Sequence, residues 1–478
     1  MKPNIVVILT DQQRTDTLAC YGNSVVRTPN LDLLADSGVR FDRAYCATPL
    51  CTPARVSVQT GAYPHRHGIV DLWSAIPNEN TGPVPGWNHP SPEEMPWLGH
   101  YFRDAGYETA YIGKWHCMTG ADRRGFEDCV VRIGDYDTDD GAEEQNDWLQ
   151  YALSKGYKMS SGKRNGADYK RKGLNYGVSL YTETDFPASY AFRKAIEFIQ
   201  ADHEHPFILF LSETSPHQPF APPSPYDEMY DPDDILLPEN VQHYASSRRF
   251  IELRGHPETL RLYREATQRQ LQAAWSHYLG MVTHIDNLVG DLVESLEQAK
   301  VRDNTMLVFS SDHGEMLGSH RLQDKGAFMY EEVMKVPLLV NWPKEASSAV
   351  YDKPVSQVSL LPTLLEIAGI SPHSDMDMPS LATSFLGQQA PPDEPVYGEY
   401  NRFYGQLYPV RMVTDGSWKY VHYFGPEAEL YNLDSDPGEV ENLINWATHQ
   451  DELKRMRSLL ADWMQQSHDV FQMDQIYD

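Results

Sequence analysis

Four short apolar runs, each ending in a residue able to do chemistry, constrain this chain more than any other feature. Asn4-Ile-Val-Val-Ile-Leu-Thr stops at Asp11-Gln12, and Thr109-Ala-Tyr-Ile-Gly stops at Lys114-Trp-His116. Pro206-Phe-Ile-Leu-Phe-Leu-Ser stops at Glu213 and leads to His217, and Thr305-Met-Leu-Val-Phe-Ser-Ser stops at Asp312-His313. Uninterrupted apolar runs of this length suit strands buried on both faces. Helical patterns lie between them. Residues 188–201 set Ala191, Phe192, Ala195, Ile196 and Ile199 on one side, and residues 271–299 do the same with Leu271, Trp275, Leu279, Val282, Ile285, Val289, Leu292 and Leu296. Strands alternating with helices give an α/β fold, a large mostly parallel sheet flanked by helices. Such sheets bind ligands at the carboxyl ends of their strands. All four runs deliver Asp, Lys or His to that end.

The pattern changes late in the chain. Residues 371–395 are rich in Pro, Ser, Met and Asp and read as a linker or long surface loop. Beyond them Pro395–Tyr400, Pro409–Val413 and Lys419–Tyr423 look like short antiparallel strands. A closing helix at 449–466 puts Leu453, Met456, Leu459, Leu460 and Trp463 on one face. The expected organisation is a catalytic α/β domain over 1–375 and a smaller C-terminal α+β domain over 376–478. The polar stretch 135–180 is expected to form loops.

Charge narrows the partners. The 478 residues carry a formal net charge of −28. That argues against nucleic acid and against an anionic membrane surface, both of which need a basic face. It leaves room for an anionic substrate, because a few local cations can dominate one cleft. No apolar run approaches the ~20 residues of a membrane span. The N-terminal apolar stretch, Ile5–Leu9, has no small-residue cleavage site after it and reads as a strand, not a signal peptide. The expected location is cytoplasmic as the sequence stands, and periplasmic if a leader has been removed. Five cysteines, at 20, 46, 51, 117 and 129, are too few and too uneven for a disulfide scaffold. Cys20, Cys46, Cys117 and Cys129 read as packing residues.

Three constellations carry chemistry. Cys51-Thr-Pro-Ala-Arg55, with a helix able to start at Pro53, sets a thiol at a positive helix end. Asp11-Gln12 and Asp312-His313 each follow a central strand, and their carboxylate, amide and imidazole groups suit a hard or borderline divalent cation. Lys114, His116, His217 and Lys325, together with Arg55, could surround one tetrahedral oxyanion.

These residues resemble the sulfatase family of the alkaline phosphatase superfamily. The Cys-x-Pro-x-Arg core is similar to the signature in which the family's Cys is oxidised to formylglycine. The resemblance runs on through Thr28-Pro-Asn-Leu-Asp-Leu-Leu-Ala35, Gly113-Lys-Trp-His116, Ser215-Pro-His-Gln-Pro-Phe220, Asp312-His-Gly-Glu315, Lys325, Tyr330–Pro337 and Glu429–Pro437, nearly the whole chain in order. It implies an alkaline phosphatase-like fold and hydrolysis of sulfate monoesters to an alcohol and inorganic sulfate. Formylglycine at 51, hydrated to a geminal diol, would attack sulfur. Asp11, Gln12, Asp312 and His313 would hold one divalent metal, Ca²⁺ or, given the imidazole, Mn²⁺. Asp312 would be placed to receive the attacking proton. Arg55, Lys114 and Lys325 would neutralise the equatorial oxygens. His217, assisted by Lys325, would protonate the leaving alcohol, and His116 would take the proton that lets the second hydroxyl expel sulfate. The implied partners are a small-molecule or saccharide sulfate ester and, during maturation, a formylglycine-generating enzyme.

Two departures stand out. Gln59 sits where many relatives have Leu before Thr60-Gly61, and the metal set Asp, Gln, Asp, His replaces the more usual Asp, Asp, Asp, Asn. The same set occurs in phosphonate monoester hydrolases, so phosphonate monoester or phosphodiester hydrolysis is the competing reading. A binding protein with a relic site would have lost polar positions, and none is missing. Arg66 and His67 are placed to support the nucleophile loop or to serve as a structural turn. The expected pocket wall is Trp73, Trp87, His89 and Trp97, with Arg402, Phe403 and Tyr404. Their rings suit a sugar or an aryl group alike.

Overall fold

The computed structural model describes residues 2–72, 95–117, 121–131, 147–157, 169–171, 173–244, 257–372, 376–403, 406–425 and 427–473. Its main sheet contains β1 (Asn4–Thr10), β2 (Val39–Tyr45), β3 (Glu108–Gly113), β4 (Asp128–Val131), β5 (Phe207–Ser212), β6 (Thr305–Ser311), β7 (Lys335–Asn341), β8 (Ala349–Tyr351) and β9 (Val355–Ser356). The order is β8–β2–β7–β6–β1–β5–β3–β4, with β9 also pairing β2. All pairings are parallel except the two made by β7. The four apolar runs are therefore neighbours, β6–β1–β5–β3, and all point the same way.

Period-two alternation explains why those runs are apolar throughout. Ile5, Val7, Leu9, Ile208, Phe210, Met306 and Val308 enter the core on one face of the sheet. Val6, Ile8, Phe207, Leu209, Leu211, Leu307 and Phe309 enter a second core on the other. The flanking helices include α1 (Pro29–Asp36), α2 (Cys51–Thr60), α3 (Pro64–His67), α4 (Pro187–Ile199), α5 (Gln268–Gln298) and α6 (Leu360–Ala368), and a short helix over Leu98–Asp104 also packs on the first face. Helices α2 and α6 cover the first face, while α1, α4 and α5 cover the second. Strand register then fixes the site. Thr10 pairs with Ser311, Leu9 with Ser212, and Ser212 with Gly113. Asp11, Asp312, Glu213 and Lys114 thus leave the sheet side by side.

A second sheet is an antiparallel meander, β10 (Val396–Phe403), β11 (Gln406–Thr414), β12 (Trp418–His422) and β13 (Ala428–Asn432). Helix α7 (Gln450–Gln466) packs Met456, Leu460, Trp463 and Met464 against Val413, Tyr420 and Leu430 of that sheet. The boundary expected at 375/376 adjoins residues 373–375, outside the described set. Several elements go beyond the sequence reading, among them β2, β7, β8, β9 and, within the stretch 135–180 expected to be loops, an antiparallel pair of strands Tyr169–Arg171 and Gly177–Ser179. Strand β13 is a fourth strand. Within 135–180 a helix forms over Asp147–Ser154, because Trp148 buries against Tyr181 and donates to the Asp185 carbonyl at 2.9 Å.

Candidate active site

The helix carrying the candidate nucleophile begins at Cys51, two residues earlier than the Pro53 start expected from sequence. Proline lacks an N–H, and N–H groups in a first helical turn have no intrahelical acceptor, so Pro53 is accommodated there. Cys51 therefore lies within the positive first turn, 2% exposed. His67 braces this helix from α3. It takes the Ile69 N–H on Nδ1, so Nε2 carries the proton that reaches Ser57 Oγ at 3.1 Å. Arg66 faces outward, half-exposed, toward Asp377 at 3.3 Å.

Residues from three distant segments meet at the thiol. The donor atoms of Asp11, Cys51, Asp312 and His313 all lie within 4.8 Å of one another, and all four residues are buried. Cys51 Sγ is 3.1 Å from His313 Nε2 and 3.8 Å from Asp11 Oδ1. His313 gives its Nδ1 proton to the Gly314 carbonyl at 2.8 Å, which leaves the Nε2 lone pair facing the cluster. Burial holds this ring below the ordinary histidine pKa despite Asp312. Gly314 is required here, since a Cβ would stand 1.9 Å from the Glu332 carbonyl oxygen. Asp312 Oδ1 accepts from the backbone of Gln12 at 3.0 Å and of His313 at 2.8 Å. Its Oδ2 stands 2.9 Å from Arg55 Nε, an ionic contact in which the N–H is not aimed at the oxygen.

The cations close the other side. Asp11 Oδ2 accepts from Arg55 Nη2 at 2.8 Å and Lys114 Nζ at 2.9 Å. Burial raises the Asp11 pKa, but Lys114 and Arg55 outweigh it and hold the carboxylate well below the usual value. Arg55 also donates to Ser212 Oγ at 2.5 Å, and Ser212 donates to the Lys114 carbonyl at 2.6 Å. A Cβ on Gly113 would meet the Ser212 carbonyl at 1.9 Å, so only glycine lets Lys114 N reach that oxygen at 2.8 Å. Lys325 Nζ lies 2.5 Å from Gln12 Oε1 and 3.0 Å from His217 Nε2. Burial works against this ammonium, yet Asp324 and the cluster acids raise its pKa well above the ordinary lysine value. The His217 Nδ1 proton goes to the Gln218 carbonyl at 2.6 Å. Burial and then Lys325 push the His217 pKa well below 6.5, so the ring is neutral with its Nε2 lone pair toward Lys325. His116 is buried two residues beyond Lys114, with a left-handed backbone at φ 47°.

The structure thus brings together Asp11, Gln12, Cys51, Arg55, Lys114, His217, Asp312, His313 and Lys325, and His116 sits on the strand exit that carries Lys114. A model of the family described as Sulfatase matches residues 3–370, and one described as N-sulphoglucosamine sulphohydrolase, C-terminal, matches residues 318–466. The chain belongs to the sulfatase family. It is 31% identical to the uncharacterized sulfatase YidJ of Escherichia coli (strain K12), over 98% of this chain and 88% of that one. It is 29% identical to an arylsulfatase of Clostridium perfringens, over 96% and 94%. Among solved structures, the phosphonate monoester hydrolase of Agrobacterium radiobacter superposes with a TM-score of 0.78 at 22% identity, covering 98% and 96%. This sulfatase is a sulfuric ester hydrolase of the alkaline phosphatase superfamily.

The donor set of the sulfatase fits a divalent cation. Asp312 Oδ2, which accepts no hydrogen bond among the described residues, and the inward lone pair of His313 converge with Asp11 in a buried space, and the Gln12 backbone N–H is held by Asp312 while its amide oxygen meets Lys325. Mixed oxygen and imidazole donors suit Ca²⁺, Mn²⁺ or a neighbouring transition ion. Two contributors stand in the sequence motifs without an expected role. Ser212 bridges Arg55 to Lys114, and Glu315 accepts from the Gln12 amide. Both end or follow a recognised run, and that position is the signal that could have found them. The expected pocket wall changes. Trp97 is fully buried against Trp115 and Arg124 and belongs to the core, not to a wall. Arg402 and Phe403 are half-buried at the end of β10. Trp73, Trp87, His89 and Tyr404 lie outside the described residues. None of the five cysteines is disulfide-bonded.

Proposed function

We propose that this sulfatase hydrolyses sulfate monoesters with residue 51, in its formylglycine form, as the nucleophile. The observation that carries the reading is the meeting of Cys51 Sγ with Asp11, Asp312 and His313 inside one buried cluster. Asp11, Gln12, Asp312 and His313 would hold a divalent cation, which when bound supplies Lewis-acid polarisation and a lowered hydroxyl pKa. Arg55 and Lys114 fix the Asp11 carboxylate and present positive charge to an anionic substrate. Lys325 is charged and hydrogen-bonded to a neutral His217, so the proton for the leaving oxygen passes through this pair. His116 is assigned the proton that accompanies sulfate release.

The neutral tautomer refines the role of His217. Its Nε2 holds no proton of its own, so the proton that Lys325 gives to Nε2 is the one that Nε2 passes to the leaving oxygen; Lys325 ends neutral, and His217 is a relay with Lys325 as its reservoir. Phosphonate monoester hydrolysis is the second reading. It is favoured by the Asp-Gln and Asp-His set and by the superposition on the Agrobacterium radiobacter enzyme. One preparation, with the state of residue 51 verified by peptide mass, decides between them. Sulfated sugars, aryl sulfates and phosphonate monoesters are compared by kcat/KM. Sulfate esters are expected to lead. A lead for phosphonate monoesters selects the second reading, and full activity in Cys51→Ala overturns both.

A further inference from the structure

We infer that Glu315 is a positioning residue that sets which end of the Gln12 amide faces the cluster. The inference rests on the proposal that Gln12 helps to hold a divalent cation. The Gln12 side chain is fully buried between the Lys325 ammonium and the Glu315 carboxyl group. On one side Lys325 Nζ is a donor only, and it lies 2.5 Å from Oε1. On the other side Glu315 Oε2 accepts from Nε2. An amide between an ammonium and a carboxylate has one satisfied orientation, with oxygen to the cation and nitrogen to the anion. Glu315 therefore points the Gln12 oxygen toward Lys325 and the neighbouring acids. With the amide reversed, the NH₂ group would face the cation site and repel its occupant.

Glu315 also has a structural task, and the two separate by atom. Its Oε1 accepts from the backbone of Leu317 at 2.9 Å and of Asp324 at 2.5 Å, which ties down the loop leading to Lys325. Its Oε2 takes Gln12. Burial and then Asp324 raise the Glu315 pKa, while these N–H donors favour the carboxylate. In Glu315→Gln the two backbone donors claim the new amide oxygen. The new NH₂ then faces Gln12 and forces it to reverse. The loop keeps its bonds, and the cation site loses its oxygen.

The test uses the full chain as wild type, Glu315→Gln, Gln12→Glu, the charge-swapped Gln12→Glu/Glu315→Gln pair, and Asp312→Asn. Calcium and manganese affinities are measured by titration calorimetry on metal-stripped protein, with the apo Tm as the fold control. Glu315→Gln should weaken metal affinity about 10–100-fold, as loss of a partner that orients a ligand does, with the apo Tm unchanged. In the swapped pair, the carboxylate introduced at position 12 accepts from the amide at position 315 and offers its other oxygen to the site. Gln12→Glu should therefore raise affinity by a larger factor in the Glu315→Gln background than in wild type, where two carboxylates would collide. Wild-type affinity in Glu315→Gln, or equal gains from Gln12→Glu in both backgrounds, overturns the inference while leaving the metal site standing. A wild type that binds no divalent ion, or binds it as well in Asp312→Asn, overturns the metal reading and this inference with it. Should Glu315→Gln fail to fold, a folded, metal-binding swapped pair supports the inference and an equally unfolded pair overturns it.

Discussion

Lys325 stands between two acceptors, Gln12 Oε1 and His217 Nε2, and this placement separates proton delivery from anion binding. A sugar alcohol needs a proton as it leaves, and an activated nitrophenolate hardly does. Removal of the ring in His217→Ala should cost roughly 10²–10⁴-fold on poor leaving groups and little on good ones. Arg55→Ala should depress all substrates together, because the guanidinium serves the shared sulfate and Asp11. The measurement is kcat/KM across aryl sulfates of rising leaving-group pKa, and parallel lines for wild type and His217→Ala would remove the relay role. Gln59 gives a second prediction at this scale. It is 1% exposed in α2, and neither side-chain polar atom has a hydrogen-bond partner among the described residues. A buried amide left unpaired costs about 1–3 kcal/mol, so Gln59→Leu should raise the Tm by a few degrees. Calorimetry reads that change, and peptide mass on the same protein, where formylglycine is about 18 Da lighter than cysteine, reads whether residue 51 is still modified. The candidate site residues at strand ends were legible because strand exits are visible in sequence. The place of Glu315 two residues after His313 was legible too, but its contact with Gln12 was not, because the two residues lie 303 positions apart.

At the scale of elements, the four central strands could be read because both faces are buried and the apolar runs are unbroken. The Asp147–Ser154 helix could not, since it is held by Trp148 and its contacts with Tyr181 and Asp185 more than by a long periodic face. The join between α3 and the C-terminal sheet was equally hidden. His65, one residue inside α3, donates its backbone N–H to Glu399 Oε1 at 2.5 Å and bonds Glu399 Oε2 through Nδ1 at 2.7 Å. Arg411 Nε reaches Asp469 at 2.5 Å beside it. Burial lowers the His65 pKa, but Glu399 more than offsets this and the net shift is upward from 6.5. A raised folded pKa means that the protonated ring stabilises the fold. That stability is fully present below pH 6.5 and is lost as pH rises through the folded value. Each unit of elevation is worth about 1.4 kcal/mol. The wild-type Tm should therefore fall more steeply than that of His65→Gln as pH rises above 6.5. Superimposable Tm–pH curves would show that the ring does not titrate with folding.

Across the whole molecule, two charge scales oppose each other. The chain carries −28, whereas the site sets Arg55, Lys114, Lys325 and the proposed divalent cation against Asp11, Asp312, Asp324 and Glu315, with His217 and His313 neutral. With that cation bound, a sulfate ester would be repelled at long range and attracted once inside the cleft. Salt acts unequally on these forces. The Debye length falls from about 30 Å at 0.01 M to about 8 Å at 0.15 M, so added salt removes the distant repulsion first, while buried charges are screened much less. A monosulfated substrate presents one anion, mostly to the buried cations, and its kcat/KM should change little over this range. An oligosulfated saccharide leaves several charges outside the cleft, facing the acidic surface. Its kcat/KM should rise as NaCl goes from about 0.01 to 0.15 M, carried by a falling KM with kcat nearly constant. A basic strip beside the cleft would reverse that sign, because salt then weakens attraction instead of repulsion. Parallel kinetics on one mono- and one oligosulfated substrate distinguish the two, and a falling kcat/KM for the oligosulfated one would show that local basic groups outweigh the acidic surface.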